Sequence, residues 1–408
     1  MRRGLILWTI GRSFTERHDP FYQVPAVTKS FNDVDSILHE FGELEDPRSS
    51  INRHHLLGDL IAICIMAVIA GADGPLAIGT WAENNEEWLN ERLELPNGIP
   101  SHDTIGRLLA ALNPTAFQSC FESWIASVRV AEEVEDLNQI AIDGKVLRRS
   151  HDRRKGLGPL WLVSAWSVDR GISLGQLATD EKSNEITAIP ELLANIEIKD
   201  AVITIDAAGC QRKIAKTIID GKGNYVLSLK GNQGKIDEAV STYIETHMEN
   251  DFANIQVERF SETLKGHGRN DEITYYQMQV PKDLANREKW AGLKTLGVAI
   301  RYSESGEKWS TEVRYYVNSI AMNVKRFARF VRGHWAIEST LHWCLDMTFR
   351  EDESRVRDRT TATNLAWLNR FGLSLLKQQD DKHSIAMRRR IAGWNLDYLA
   401  QVLGIPRA

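Results

Sequence analysis

Three acidic residues constrain the fold of this chain more than any other feature. Asp143 follows the apolar run Ile140–Ile142, and Asp206 follows a second apolar run, Ala201–Ile205. Glu338 lies much later, in a stretch with helical spacing. Short apolar runs bounded by polar residues are typical of buried strands. We therefore expect two aspartates at the ends of neighbouring strands and a glutamate on a later helix.

The segments around the two aspartates predict an α/β fold. The pattern indicates strands at 139–143, 160–169, 173–179, 201–205 and 225–229, with helices at 185–196 and 211–220. The order β-β-β-α-β-α-β is that of an RNase H-like catalytic core, in which the first and fourth strands are neighbours. Asp143 and Asp206 would then lie side by side at the carboxyl edge of the sheet. With Glu338, they could hold two Mg²⁺ ions, or Mn²⁺ in their place, for phosphoryl transfer on nucleic acid.

The rest of the chain is expected to divide around this core. We predict a loose leader at 1–28, a helical and DNA-binding N-terminal domain at 29–130, the first part of the core at 137–230, a β-rich insertion at 231–320, the second part of the core with Glu338 at 321–380, and a basic tail at 381–408. A chain of 408 residues is expected to contain two or three domains.

A short helix after a turn stands out in the helical region. Ser101 is a good N-cap, and Ile105, Leu108 and Leu112 have helical spacing. Polar side chains in its first two turns resemble those of a helix-turn-helix recognition helix, which would span about residues 98–112. A helical cap on the next domain explains the pattern equally well, and the sequence leaves both interpretations open.

Basic residues gather beside each acidic segment. Lys145, Arg148 and Arg149 follow Asp143, Lys230 follows the last core strand, and Arg332 precedes Glu338. Any one of them is ordinarily a solvated charge. Clustered in this way, they would neutralise phosphates along a bound DNA strand.

His334, Glu338 and His342 are spaced four residues apart, so they share one stripe of a helix. A zinc site is an alternative to magnesium here, but it leaves the strand-end aspartates unexplained, and the spacing is not that of a metalloprotease. We expect both histidines to contact DNA. Trp335 could stack on a splayed base, although core packing is the more common role of such a tryptophan.

The bulk composition excludes several other classes. A net charge of −5 is not that of a DNA-coating protein, so binding would depend on local patches. Four scattered cysteines, without a Cys-x-x-Cys pair, argue against structural zinc and a disulfide framework. The longest apolar run, Leu60–Ala70, is too short to span a bilayer. We expect a cytoplasmic, nucleoid-associated protein.

Long motifs make the sequence resemble insertion-sequence DDE transposases, and in particular the H-repeat-associated proteins found beside Rhs elements. The matching stretches are IAIDGKVLRRS (140–150), KSNEITAIPELL (182–193), ITIDAAGCQ (203–211), YVLSLKGNQ (225–233), GHGRNDE (266–272), RYYVNSI (314–320) and RGHWAIESTLHWCLDMTFREDESR (332–355). The resemblance implies transposition of double-stranded DNA, with Asp143, Asp206 and Glu338 as catalytic residues and metal ligands. Handling two element ends would require at least a homodimer.

One departure from the wider superfamily leaves alternatives open. Its catalytic glutamate lies in a Tyr-x₂-Arg-x₃-Glu-x₆-Lys pattern, and here the three flanking positions hold Val331, His334 and Leu345. His334 could replace the arginine as a phosphate contact. The alternatives to an active transposase are a DNA-binding relic that has lost catalysis and a structure-specific, magnesium-dependent endonuclease.

Overall fold

A computed structural model describes residues 34–42, 44–129, 138–179, 185–266, 269–305 and 308–404. The predicted leader, residues 1–28, lies outside these residues. The predicted α/β class is confirmed, since a nine-stranded mixed sheet is covered by helices. Among the described residues, no helix combines the length and apolar character needed to cross a membrane.

Among the described residues, six α-helices precede the sheet and form its N-terminal cover. They are α1 (Val34–Gly42), α2 (Leu57–Ile69), α3 (Pro75–Asn84), α4 (Glu86–Asn90), α5 (His102–Ala111) and α6 (Pro114–Arg129). The predicted cap of α5 is present, because the Ser101 hydroxyl accepts from the Thr104 amide at 3.3 Å. Ile105, Leu108 and Leu109 are buried beneath α5. These helices share one hydrophobic core with the sheet and its other helices.

The strands form one continuous sheet in the order β3-β2-β1-β4-β5-β9-β8-β7-β6. They are β1 (Gln139–Leu147), β2 (Leu160–Ser167), β3 (Ile172–Thr179), β4 (Val202–Ile205), β5 (Asn224–Leu229), β6 (Val257–Gly266), β7 (Arg269–Gln279), β8 (Thr295–Ser305) and β9 (Lys308–Asn318). β1, β2 and β3 pair antiparallel, whereas β4 runs parallel to both β1 and β5. The strands β1 to β5 each overlap their predicted ranges, and β1 continues past its predicted end at Asp143 to Leu147.

The central strands are buried on both faces, which explains their unbroken apolar sequences. Val202 of β4 belongs to a cluster with Phe327 and Phe330 of α10 (Val324–Ile337). Ile203, the next residue, belongs to the main core on the opposite face. That core also contains residues of α7 (Glu185–Asn195) and α8 (Arg212–Asp220).

The region predicted as a β-rich insertion extends the core sheet. β9 pairs antiparallel with β5, so β6–β9 continue the sheet without a break. A helix that the sequence analysis did not predict, α9 (Lys235–Met248), precedes these strands. The chain then returns through α10 across the sheet.

The predicted basic tail, residues 381–408, contains two helices within the part that the structure describes. After α12 (Arg359–Lys377), the chain forms α13 (Ile385–Trp394) and α14 (Leu396–Leu403). Arg389 of α13 is buried, and its guanidinium donates to the carbonyls of Val68, Ala72 and Thr348. The Val68 carbonyl lies in the last turn of α2, Ala72 follows that helix, and Thr348 caps the end of α11. Arg389 therefore fastens α13 to the ends of two other helices.

Candidate active site

The two predicted aspartates lie next to each other where β1 and β4 separate. The last paired residues of these parallel strands are Ile142 and Ile205, and Asp143 and Asp206 follow them directly. Residues that follow a registered pair on neighbouring strands emerge at one edge of the pairing. β1 continues beyond this point to Leu147, paired with β2. The site therefore lies at a fork in the sheet, not at a common strand end.

Backbone amides fix one oxygen of each carboxylate. The Gly144 amide donates to Asp143 Oδ1 at 2.8 Å. The amides of Ala208 and Gly209 donate to Asp206 Oδ1 at 3.0 and 3.2 Å, in the turn after β4. An aspartate that accepts from amides two and three residues later stabilises a turn. Asp143 is thus oriented by its own strand, and Asp206 by the turn after β4.

Glu338 lies at an irregular point in a long helical segment. α10 ends at Ile337, residues Glu338–His342 form a π turn, and α11 (Trp343–Met347) follows. π turns are rare and occur frequently at functional sites. The helix continues through Gly333 and changes its winding at Glu338.

A buried glutamine fixes α10 to the two strands that carry the aspartates. Gln139 of β1 is fully buried, and its side-chain amide donates to the Phe330 carbonyl at 2.7 Å and to the Thr204 hydroxyl at 3.1 Å. Gly333 lies directly against it: a Cβ atom at this position would be 2.0 Å from Gln139 Oε1. The glycine therefore permits the close approach of the helix that leads to Glu338.

We expect Gly333→Ala to destabilise the protein by about 1–3 kcal/mol, because the added methyl group overpacks a buried contact. Gly106→Ala is the matched control, since its Cβ would meet Pro75 at an ordinary 3.6 Å. That change should stabilise α5 by about 0.5–1 kcal/mol. Urea unfolding of both variants measures the difference. Equal effects of the two substitutions would contradict the close contact.

Asp143, Asp206 and Glu338 lie close enough together for their charges to interact. Burial and the negative charges of Asp206, Glu338 and Glu185 together raise the pKa of Asp143 to about 7, and the Gly144 hydrogen bond opposes this effect. A neighbouring carboxylate disfavours ionisation because like charges repel. Asp206 and Glu338 are exposed to solvent, whereas Asp143 is partly buried.

Glu185 is a fourth carboxylate that the sequence analysis did not assign. It begins α7, is 8% exposed, and its Oε1 would lie 2.3 Å from a Cβ at Gly144. Gly144 is therefore a glycine because the Glu185 carboxylate occupies the place of a side chain. The signal available in the sequence was the motif KSNEITAIPELL, which contains Glu185. A glutamate in the first turn of a helix is ordinarily explained by the helix dipole.

The donor atoms fit a hard divalent cation. Carboxylate oxygens are the ligands that Mg²⁺ prefers, and clustered carboxylates are the charge that it neutralises. Within the described parts of the chain, however, no group of three or more His, Cys, Asp or Glu side chains is already arranged to hold a metal ion. Asp143, Asp206 and Glu338 thus provide the charge and the donor type without a preformed ligand geometry.

Some of the basic residues that were predicted to contact DNA are exposed, and others are buried. Arg149 and Lys230 are exposed, and the Arg148 side chain is 73% exposed. Lys145, by contrast, is buried with its ammonium among three carboxylates. Arg332 is mostly buried and pairs with Glu262 at 2.7 Å. A phosphate contact by Lys145 does not fit this structure, because its charge is enclosed and already paired.

The two histidines lie on either side of Glu338 but are held in the neutral form. Burial lowers the pKa of His334 to about 4, although the charge of Asp206 opposes this effect. Burial lowers the pKa of His342 to about 3, and the charges of Arg370 and Lys145 act in the same direction. His342 Nδ1 lies 3.5 Å from Asp143 Oδ2. A neutral imidazole can donate a hydrogen bond to DNA but adds no positive charge, and the DNA contacts of both histidines stay predictions.

Trp335 packs against the cluster on the α10 side of the sheet. The guanidinium groups of Arg301 and Arg314 lie over its ring, at 5.8 and 5.0 Å from the centroid. Cations over an indole face are attracted by its quadrupole. The Trp335 ring therefore already interacts with two guanidinium groups of the protein.

Comparisons with known proteins place this arrangement in a family. The family model described as DDE_Tnp_1-associated matches residues 38–125, and the Transposase DDE domain matches residues 135–375. The transposase relative YncI of Escherichia coli O157:H7 is 38% identical over 91% of this chain and 95% of its own length. The H-repeat-associated relative YhhI of Escherichia coli K12 is 34% identical over 91% of this chain and 98% of its own. The chain therefore belongs to the DDE transposase family, within its H-repeat-associated branch.

Proposed function

We propose that this protein is the transposase of an insertion sequence, which cuts the ends of its element and joins them to target DNA. The observation that carries the proposal is the β1–β4 register, which places Asp143 beside Asp206, with Glu338 close enough to raise the pKa of Asp143. Two strand-borne aspartates and a helix-borne glutamate provide the oxygen ligands for a pair of divalent ions.

The sheet topology supports an RNase H-like core. The order β3-β2-β1-β4-β5, with an antiparallel meander followed by two parallel strands, is the order expected of that fold. β6–β9 would be the insertion between Asp206 and Glu338, and the helices before β1 the DNA-binding domain. The helix-turn-helix at residues 98–112 stays a prediction.

Each acidic side chain has a defined part in the proposed reaction. Asp143, Asp206 and Glu338 would hold Mg²⁺, or Mn²⁺ in its place, which activates the attacking oxygen and stabilises the leaving one. Backbone amides hold one oxygen of each aspartate and leave the other for a ligand. His342 lies beside the second oxygen of Asp143 and, in its neutral form, adds no charge there.

The exposed cations would hold the DNA. Arg148 and Arg149 follow β1, Lys230 follows β5, and all three reach solvent. Such residues neutralise phosphates and make binding dependent on salt. Cutting the two ends of an element together would require at least a homodimer.

A joining assay separates this proposal from its alternatives. A labelled duplex that carries the boundary of the element would be incubated with protein, Mg²⁺ and a target plasmid. Cutting at the boundary followed by covalent joining of the label to the plasmid supports a transposase. Cutting without joining would indicate a structure-specific endonuclease. Binding without cutting, in Mg²⁺ or Mn²⁺, would indicate a relic that has lost catalysis.

A further inference from the structure

Lys145 is buried between the strand that carries Asp143 and the segment that follows Glu338. Its ammonium lies 2.6 Å from Asp346 Oδ1 and 3.3 Å from Glu351 Oε2, and its side chain is 6% exposed. A buried ammonium is costly unless opposite charges surround it. The sequence predicts a DNA contact for this lysine, whereas its burial favours a role inside the protein.

The contacts of Lys145 belong to a network that is balanced in charge. Arg370 pairs with Glu351 at 2.9 Å, and Arg148 pairs with Asp352 at 3.2 Å, while Asp352 also lies 3.7 Å from Lys145. Three cations thus face three carboxylates: Lys145, Arg148 and Arg370 face Asp346, Glu351 and Asp352. Together they connect β1, α11, α12 and the loop before α12.

The position of the Lys145–Asp346 pair links the two halves of the proposed site. Lys145 lies two residues after Asp143, so the two side chains lie on the same face of β1. Asp346 lies eight residues after Glu338, about two helical turns further along. The π turn lies between them and departs from regular helical winding. An external contact beyond this turn therefore helps to determine where Glu338 lies relative to Asp143.

We propose that Lys145 is a positioning residue, which sets the distance between Asp143 and Glu338 through its ion pair with Asp346. The proposal rests on the proposed function, because it concerns the geometry of the same metal site. It assigns Lys145 no contact with DNA and no part in proton transfer. Its effect is on how well the carboxylates bind a divalent ion and on the rate of the step that depends on it.

The test compares the full-length wild type with Lys145→Met, Asp346→Asn and the double variant. Lys216→Met is the control, because Lys216 forms an exposed ion pair with Asp220 on α8. Mn²⁺ is the probe: its dissociation constant is measured by electron paramagnetic resonance without DNA. The rate of plasmid nicking is measured in a single turnover, and DNA affinity is measured in EDTA.

We expect Lys145→Met and Asp346→Asn each to weaken Mn²⁺ binding and slow nicking by about 10–100-fold, the usual cost of losing a group that orients metal ligands. DNA affinity should stay at the wild-type value. The double variant should be no worse than Lys145→Met, because the two side chains act as one unit. Asp346→Asn preserves shape and keeps the test open if Lys145→Met does not fold.

Three results would overturn the proposal. If the wild type binds Mn²⁺ and nicks DNA, and both single variants equal it, then the ion pair does not position the site, and the proposed function stands. Effects that multiply in the double variant would show that Lys145 acts independently of Asp346. A wild type that neither binds Mn²⁺ nor nicks DNA would remove the proposed function, and this inference with it.

Discussion

Asp143→Asn is expected to reduce DNA cleavage by about a thousandfold or more, because an amide oxygen without charge is a poor ligand for the metal ions that carry the reaction. DNA binding should persist, since the exposed cations are unchanged. The Gly144 amide, which donates to Asp143 Oδ1 at 2.8 Å, can donate equally to the asparagine oxygen. Cleavage and binding of boundary DNA, measured in parallel, check both parts of this prediction.

The same substitution should leave the metal-free protein at least as stable as the wild type. Burial, together with Asp206, Glu338 and Glu185, raises the pKa of Asp143 to about 7, above its usual value of 3.8. A carboxyl group whose pKa is raised by folding costs stability progressively as the pH rises from 3.8 through 7. Asparagine removes this cost. Urea unfolding at pH 8 in EDTA measures it, and a large loss of stability in the variant would indicate a structural role for Asp143.

Arg370→Met is expected to destabilise the protein by about 3–5 kcal/mol, the usual cost of leaving one partner of a buried ion pair alone. Arg370 is fully buried, and its guanidinium lies 2.9 Å from the buried Glu351 carboxylate. It also donates to the Ala366 carbonyl at 3.0 Å. Arg148→Met is the matched control within the same network. Its side chain is 73% exposed, so the loss should be within about 1 kcal/mol.

The loss of stability caused by Arg370→Met should depend on pH. Burial would raise the pKa of Glu351, but Arg370 and Lys145 lower it below its usual value of 4.5. A lowered carboxyl pKa contributes stability that is present above the unfolded-state value and is lost as the pH falls through the folded-state value. The difference between wild type and Arg370→Met should therefore be largest near neutral pH and shrink as the pH falls through 4.5. An equal difference at all pH values would contradict the pairing of Arg370 with Glu351.

The sheet and the acidic residues could be predicted because their signals are local. Apolar runs such as Ala201–Ile205 indicate buried strands, and a polar residue after each run indicates where pairing ends. The family motifs then connect Asp143, Asp206 and Glu338. What could not be predicted was that β1 continues past Asp143 to pair with β2, because the sequence beyond Asp143 lacks the apolar pattern.

The residues whose burial and contacts could not be predicted are those whose partners are distant in sequence. Lys145 resembles a surface cation until Asp346 and Glu351, about 200 residues later, are placed around it. Glu185 resembles an ordinary first-turn glutamate until Gly144 is placed against it. The burial of Arg389 likewise depends on Val68 and Ala72, more than 300 residues earlier. Burial of a charge depends on tertiary contacts, and residue type alone predicts exposure.

The central claim is that Asp143, Asp206 and Glu338 form one metal-dependent site for DNA cleavage. The most direct measurement is nicking of a supercoiled plasmid that carries the flanking DNA of the gene, with wild type and Asp206→Asn compared in Mg²⁺, Mn²⁺ and EDTA. We expect the wild type to nick the flanks in either metal and not in EDTA. Asp206→Asn should bind the DNA without nicking it. Binding by the wild type without nicking in either metal, or equal nicking by Asp206→Asn, would contradict it.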